Sequence, residues 1–309
     1  MAGEIVCAGN HATDELVTAW AERFARFHPS VHFQLRHDTR LTSTAFKAAV
    51  TEDAADLTPC AREPFGYDLA RFRQKYGEAP LVVAVATGSY ATKSATHALA
   101  IYVHADNPLS RLTIEQLHDI YARDGSIVRW GQLGLPAPWA DQPIHVYGLV
   151  PGSPNGRQMG IVNYVQLRFL HGGESEFKTD LRLIDDAGPE PENHLLHVIV
   201  RAVAADRYGI GYSGFANRAP GAKTLLLADS PDGPFYAGTH DEVARRVYPL
   251  TRAIYMCVNQ PVTRPLKPAV REYLRFILSR EGQQVIADLP EKYLPLTAGF
   301  AAIERAKVD

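Results

Sequence analysis

The chain has 309 residues, 46% of them hydrophobic, and its 32 basic and 34 acidic side chains give a formal net charge of −2. This length and composition favour about two domains with buried cores. They exclude the polybasic surface of a nucleic-acid-binding protein, an acidic tail and, because no apolar run approaches roughly 20 residues, a membrane-spanning helix.

The first part of the chain predicts strands and helices in alternation. After a strand over residues 5–8, Thr13 is placed to cap a helix. The helix follows from apolar residues at helical spacing, namely Leu16, Val17, Trp20, Phe24 and Phe27. Alternating residues over 31–35 predict a second strand, residues 44–50 a second helix, and residues 54–57 the start of a third strand. This order predicts a parallel sheet with helices on both faces.

The rest of the chain predicts a longer series of the same elements. Residues 113–116 read Thr-Ile-Glu-Gln, a capping box that opens a helix. Further strands are predicted at 81–87, 99–103, 144–147, 181–184, 210–213 and 253–258, and further helices at 157–170, 195–203, 268–279 and 281–288. Residues 229–241, rich in Gly, Pro and Asp, predict an exposed loop.

The amino terminus and the cysteines leave two questions open. Met1 to Glu4 lead directly into the first strand without a signal-peptide pattern, so the protein is either cytoplasmic or begins after a removed signal. Cys7, Cys60 and Cys257 form no Cys-x-x-Cys motif, which excludes a zinc ribbon or a thioredoxin-type site. They are either small core residues, or Cys7 and Cys60 form a disulfide between neighbouring strands.

Motifs for common chemistries are weak or absent in the sequence. Residues 209–214 match Gly-x-Gly-x-x-Gly, but a helix precedes them and a Pro/Gly turn follows, which does not fit a dinucleotide site. His194 and His197 have no third ligand at metal spacing. The sequence contains no Walker A motif, no Gly-x-Ser-x-Gly and no His-Glu-x-x-His.

A repeated pattern points to anion binding instead. Three strands end in small polar loops that feed helices, at residues 9–13 (the first loop), 39–44 (the second loop) and 152–156 (the third loop). Free N–H groups at a helix start carry partial positive charge and can receive an anion. The alternative is that these are ordinary Ser/Thr-capped turns of an α/β protein.

Asp56 lies near a predicted strand end. It either caps a turn or accepts a hydrogen bond from a protonated ligand oxygen, in which case it disfavours a fully ionised anion.

Short fragments spread along the chain follow one another in an order that is typical of a known protein family. The fragments are Ala8-Gly9, Trp20, Phe24 and His28-Pro29; Ala55-Asp56-Leu57 with Arg62; Asn107-Pro108-Leu109, Leu112-Thr113, Gln116-Leu117, Ile120-Tyr121 and Trp130; Gly209-Ile210-Gly211-Tyr212; Tyr248-Pro249-Leu250-Thr251-Arg252; and Ser279, Glu281-Gly282-Gln283 and Tyr293-Leu294-Pro295-Leu296. Over nearly the whole length, the chain resembles the phosphate-binding-protein-like solute-binding subunits of ABC importers.

The resemblance implies an α/β, two-lobed, type II-like periplasmic-binding-protein fold, each lobe a mixed sheet flanked by helices. It places lobe I at residues 1–90 plus 245–309 and lobe II at residues 91–244, with the ligand in the cleft between them. It implies capture of phosphate or a related oxyanion, a membrane ABC permease as partner, a periplasmic location after signal removal, and a monomer. It implies no enzymatic activity, cofactor, metal or nucleic acid.

The resemblance also implies ligand-binding residues. Asp56 matches the family aspartate that helps to recognise protonated phosphate. In the third loop, Gly148 stands near the family's arginine position, and Pro154 lacks an N–H donor. Arg40 or Arg157 are candidates for the missing charge, and His11 for a pH-dependent donor. The expected ligand-binding residues are Asn10, His11, Ala12, Thr13, Arg40, Thr42, Ser43, Asp56, Ser153, Asn155, Gly156 and Arg157.

Two alternatives stay open. The departures of the loops from the family pattern favour a larger or organic ligand on the same fold. An enzyme on a two-lobed scaffold would require a nucleophile and a base within hydrogen-bond reach.

Overall fold

The computed structural model describes residues 2–37, 42–92, 96–149, 160–173, 175–184, 195–290 and 292–309, with backbone only for Thr42, Ser43 and Gly173. It divides into two compact units, unit 1 (Met1–Thr96 and Arg252–Asp309) and unit 2 (His97–Thr251). The chain passes from unit 1 to unit 2 after Thr96 and returns after Thr251, in each case a few residues after the predicted boundary.

The elements follow in chain order. The strands are β1 (Gly3–Ala8), β2 (Val31–Arg36), β3 (Leu57–Cys60), β4 (Pro80–Thr87), β5 (Leu99–His104), β6 (Arg111–Thr113), β7 (His145–Leu149), β8 (Arg182–Ile184), β9 (Gly209–Gly214), β10 (Ala222–Thr224), β11 (Leu226–Ala228) and β12 (Ala253–Pro261). The helices are α1 (Asp14–Phe27), α2 (Thr42–Phe46), α3 (Gly66–Tyr76), α4 (Ile114–Tyr121), α5 (Gly160–Phe169), α6 (Leu195–Ala205), α7 (His240–Ala244), α8 (Pro268–Ile277), α9 (Arg280–Asp288) and α10 (Ala298–Arg305).

Unit 1 contains a five-stranded mixed sheet in the order β2-β1-β3-β12-β4. The pairs β1–β2 and β1–β3 are parallel, as the alternation of strands and helices predicts. Strand β12 returns from the carboxyl-terminal part of the chain and lies antiparallel to both β3 and β4. Strands β3 and β4 run in the same direction because both are antiparallel to β12. They do not pair with each other because β12 lies between them.

Two apolar clusters cover the two faces of this sheet. On one face, the Leu16, Val17, Trp20 and Phe24 stripe of α1 packs with buried residues of α8, α9 and α10. On the other, α2, the π-helical turn after it and α3 supply the cluster that contains Phe46 and Phe72. The predicted arrangement of helices on both faces is confirmed. Alternate strand residues point to opposite faces, and the helical apolar stripes cover them.

Unit 2 contains a second five-stranded sheet in the order β10-β5-β9-β7-β8, and a small two-stranded sheet of β11 and β6. Strand β7 is parallel to β8 and β9, whereas β5 is antiparallel to β9 and β10. Each unit is therefore a mixed sheet flanked by helices, which is the predicted fold class.

The sequence pattern did not predict every element. Helix α3 was not predicted, although Leu69, Phe72 and Tyr76 recur at helical spacing and pack in one cluster. Helix α10 is short and alanine-rich, and β6, β10 and β11 have three residues each. Strand β3 begins at Leu57, after the expected start, and the carboxylate of Asp56 just before it accepts the backbone N–H of Val6.

All three cysteines are free and buried. Cys7 belongs to one cluster of the sheet in unit 1, and Cys60 and Cys257 belong to the cluster on the other face. The alternative of a Cys7–Cys60 disulfide is therefore wrong, because the sheet separates the two side chains. Within the described ranges, no helix has both the length and the apolar character that crossing a membrane requires.

Candidate ligand-binding site

The carboxyl ends of β1 and β3 define the candidate site in unit 1. Strand β1 pairs with β2 on one side and β3 on the other. The connections that follow β1 and β3 therefore diverge at this edge, which makes it a switch point of the strand order. Crevices outside the carboxyl ends of strands at such a switch point are the usual ligand sites of open α/β sheets. The first loop leaves β1 here, and residues 61–65 (the β3 loop) leave β3 beside it.

Asn10 organises the first loop. Its side chain is buried, with 1% exposed, and its Nδ2 donates to the Pro59 carbonyl at 2.9 Å. Its own carbonyl accepts the backbone N–H groups of Thr13 and Asp14, both at 3.0 Å, and its Oδ1 accepts the Ala12 N–H at 3.2 Å. Two N–H groups of the loop, and that of Asp14 at the start of α1, are thus bound to Asn10.

The start of α1 carries its own negative charges. Asp14 and Glu15 occupy the first turn, where they interact favourably with the positive end of the helix. The Asp14 carboxylate lies 3.1 Å from Nδ1 of His37. Thr13 is buried and makes no side-chain cap, and its hydroxyl donates to the Asn10 carbonyl at 3.4 Å. This helix end therefore disfavours a fully ionised anion.

The β3 loop was missed as a site element in the sequence. Its backbone carbonyls face buried donors, since the Thr96 hydroxyl donates to the Ala61 carbonyl and Nη1 of Arg62 donates to the Glu63 carbonyl at 2.9 Å. Just before the loop, the Thr58 hydroxyl donates to the Ala8 carbonyl at 2.7 Å. The first two bonds order the loop, and the third connects β3 to the end of β1.

Two backbone N–H groups of this loop have no hydrogen-bond partner within the part of the chain that the structure describes. Among the described residues, no hydrogen bond involves the backbone N–H of Ala61 or of Arg62. Consecutive backbone N–H groups at a strand end form the kind of concavity that binds anions. In the first loop, Asn10 binds the N–H groups that could face a ligand. The β3 loop therefore provides N–H donors for an anion in their place.

Two buried ion pairs hold the β3 loop in place. Arg62 lies 3.3 Å from Asp68 and stacks over the ring of Phe65, and Arg252 lies 2.6 Å from Glu63. Burial raises the pKa of Asp68, although Arg62 opposes the shift. Each side chain is at least nine-tenths buried. Two cations and two anions balance, so the network orders the loop without adding net charge.

The structure does not bring Asp56 to this edge. Asp56 precedes β3, so it lies at the opposite end of that strand from the β3 loop. Its Oδ2 accepts the Val6 N–H at 2.9 Å and its Oδ1 lies 2.5 Å from Nζ of Lys267. Asn10 and Thr13 lie together in the first loop, while His11 is exposed and Ala12 is half-buried beside them.

Several of the predicted ligand-binding residues lie outside the residues that the structure describes. Arg40, Ser153, Asn155, Gly156 and Arg157 fall outside the described residues, and so does His194 of the histidine pair. Thr42 and Ser43 are the first two residues of α2.

Unit 2 has a corresponding edge at the carboxyl ends of β7 and β9. Strand β7 ends at Leu149, directly before the segment with the third loop. At the end of β9, the Ser213 hydroxyl donates to the Leu196 carbonyl at 2.8 Å, and Nδ2 of Asn217 donates to the Ser213 hydroxyl at 3.1 Å. A side chain at Gly148 would contact Leu181, so this position packs inside the unit.

The Gly-x-Gly-x-x-Gly match has a packing explanation. Its residues form β9, which no α-helix follows directly. A Cβ at Gly211 would lie 2.7 Å from the Ile199 side chain of α6, and one at Gly214 would overlap His97. The glycines let α6 pack closely on the strand. Among the described residues, no group of three or more His, Cys, Asp or Glu could hold a metal ion.

Comparisons with known proteins match this architecture. A family model described as "PBP superfamily domain" matches residues 2–281. The phosphate-binding protein PstS of Pseudomonas aeruginosa is 31% identical over 307 residues, which cover 97% of this chain and 85% of that protein. Protein SphX of a Synechocystis species is 29% identical over 177 residues, or 55% of this chain and 46% of that protein.

Solved structures show the same fold at lower identity. An ABC-type phosphate transport receptor from Vibrio cholerae aligns with a TM-score of 0.54 and 17% identity, over 94% of this chain and 99% of that one. PstS from Borrelia burgdorferi aligns with a TM-score of 0.56 and 15% identity, over 96% and 99%.

Two mixed α/β units, each with its own switch-point edge, are the fold of the two-domain binding-protein class. With the family model over most of its length and a relative above 30% identity, the chain belongs to the PBP superfamily, in its phosphate-binding-protein-like branch.

Proposed function

We propose that this protein is the solute-binding subunit of an ABC importer and captures phosphate or a closely related oxyanion at the carboxyl edge of the unit 1 sheet. The observation that carries this proposal is the β3 loop, which presents two unengaged N–H groups at the switch point of unit 1. The PstS relative, with 31% identity over 97% of the chain, supports the choice of ligand.

The ligand is proposed to carry a proton. Asp14 and Glu15 in the first turn of α1 repel a fully ionised anion, whereas a protonated oxyanion can donate a hydrogen bond to a carboxylate. Phosphate and arsenate keep a proton near neutral pH and sulfate does not, so the first two are the expected ligands.

The role requires no chemistry on the ligand. The Pseudomonas aeruginosa relative is named as a binding protein, and the proposed partner is a membrane permease that receives the ligand. The proposed location is the periplasm.

Isothermal titration calorimetry with phosphate, arsenate, sulfate and methylphosphonate tests the proposal. We expect one-to-one binding of phosphate and arsenate and much weaker binding of sulfate. No heat and no thermal shift with any of the four would refute the oxyanion assignment.

A charge introduced at the β3 loop tests the location. Ala61→Glu places a carboxylate beside the unengaged N–H groups and is expected to weaken phosphate binding at least tenfold. The matched control is Ala54→Glu, at an exposed position before the amino end of β3, which should bind like the wild type. Equal effects of the two variants would contradict a site at the β3 loop.

A larger organic ligand is the second candidate. It is favoured by Asn10, which takes the N–H groups of Ala12, Thr13 and Asp14 away from any tetrahedral anion. Organic phosphates that stabilise the protein against heat, with no effect of inorganic phosphate, would select this candidate.

A further inference from the structure

Two of the three cysteines lie in contact. Cys60 ends β3 and Cys257 lies in β12, and their Sγ atoms are 3.3 Å apart. Cys60 lies opposite Tyr255 and Cys257 opposite Thr58, so the two cysteines are diagonal neighbours on one face of the sheet. Both side chains are fully buried in the same apolar cluster.

We propose that Cys60 and Cys257 form a disulfide bond when the chain folds in the presence of a disulfide oxidant. Bond formation requires the Sγ distance to fall from 3.3 Å to about 2.05 Å, a movement of about 1.3 Å. Cys7 does not compete, because it lies on the other face of the sheet.

The reaction balances with an oxidant of the disulfide class. The Cys60 thiolate attacks the oxidant's disulfide, which forms a mixed disulfide and releases one thiol. The Cys257 thiolate then attacks Sγ of Cys60 and releases the second thiol. Two protons and two electrons leave the cysteines, and the oxidant is reduced to two thiols.

Burial determines when this reaction takes place. In the folded protein, burial raises the pKa of Cys257, and neither sulfur is accessible to an oxidant. The exchange therefore belongs to folding, before β12 closes onto β3. Once formed, the bond is sealed in the core and resists reductants that do not unfold unit 1.

The bond would connect two distant parts of the chain. Cys60 and Cys257 are 197 positions apart in sequence, and β12 is the strand that returns to complete the sheet of unit 1. Closing so long a loop restricts the unfolded chain, so the oxidised protein is more stable than the reduced one.

Mass spectrometry after refolding tests the proposal. The full chain is unfolded, refolded with oxidised glutathione or with a reductant, and then alkylated in denaturant. We expect one alkylated cysteine, Cys7, and a Cys60–Cys257 crosslinked peptide after oxidative refolding, against three alkylated cysteines after reductive refolding. Three alkylated cysteines under both conditions, or a crosslink that includes Cys7, would overturn the proposal.

A pair of variants tests the stabilisation. Cys7→Ala and Cys257→Ala alter side chains that are equally buried. Oxidation should raise the Tm by about 5 °C or more in the wild type and in Cys7→Ala, and not in Cys257→Ala. The same rise in Cys257→Ala would contradict the pairing. If Cys257→Ala does not fold, the mass of the wild type still decides the question.

Discussion

At the scale of single residues, Asn10 has the largest role in the first loop. Asn10→Ala removes the donor to the Pro59 carbonyl and the acceptor of the Ala12 N–H in a buried setting. We expect a loss of about 1–3 kcal/mol in the free energy of unfolding, measured by urea denaturation. His11→Ala, in the same loop but exposed, should change it by less than about 0.5 kcal/mol. A similar loss in both variants would contradict the role of Asn10.

The buried pair of Arg252 and Glu63 predicts a larger effect. Arg252→Met leaves the Glu63 carboxylate in the core without its guanidinium partner at 2.6 Å, which should cost about 3–5 kcal/mol of unfolding free energy. The control is Arg168→Met, which breaks a pair of similar length, 2.7 Å, with the exposed Asp229 and should cost about 1 kcal/mol or less. Chemical denaturation of both variants measures the difference, and equal losses would contradict it.

At the scale of elements, the threonines at the starts of α4 and α1 differ, because Thr113 caps its helix through its side chain and Thr13 does not. The Thr113 hydroxyl accepts the Gln116 N–H at 3.1 Å, and the Gln116 side chain accepts the Thr113 N–H, so the predicted capping box is confirmed. Thr113→Ala should therefore destabilise the protein by about 1 kcal/mol. Thr13→Ala removes no cap and should cost less in thermal denaturation. The reverse order would contradict the capping assignment.

The turn between the π-helical segment and β3 predicts a pH dependence. Asp53 binds Lys75, Tyr76 and Asn259, and these hydrogen bonds, Lys75 first, lower its pKa from 3.8 to about 2. The folded-state pKa is below the unfolded value, so the stabilisation is present above about pH 4 and is lost as the pH falls towards 2.

Asp53→Asn tests this dependence while keeping a residue that tolerates the positive φ of 55°. The wild type should unfold at a higher urea concentration than the variant at pH 6, and the difference should shrink as the pH approaches 2. Asp232→Asn, in an exposed loop, should show no such trend. A difference that does not change with pH would contradict the assignment.

The sequence predicts the elements with a strong apolar period and misses those without one. The stripe of α1 and the runs of β4 and β5 carry their burial in their own residues, so their type and place are predictable. Helix α3 has a short stripe of Leu69, Phe72 and Tyr76 among charged residues, and this stripe was missed in the sequence. Local spacing also does not reveal that Asn10 binds the N–H groups of its own loop.

At the scale of the whole molecule, the fold class was predictable and half of the site was not. The order of the fragments predicts two mixed α/β units, which the structure shows. The β3 loop depends on Glu63 and Arg252, which are 189 positions apart in sequence. Arg62 and Arg252 belong to the fragments of the family resemblance, but only the folded chain brings Arg252 to Glu63, the neighbour of Arg62. Asp56, chosen by its position in such a fragment, lies at the other end of β3.

Anomalous diffraction from a crystal of the protein with arsenate tests the central claim most directly, because arsenic locates the oxyanion without assumptions about the loops. We predict one arsenic peak whose oxygens lie within hydrogen-bond distance of the N–H groups of Ala61 and Arg62 at the carboxyl edge of the unit 1 sheet. A fully occupied arsenic site away from this edge, or a well-diffracting crystal with no arsenic peak, would contradict the account.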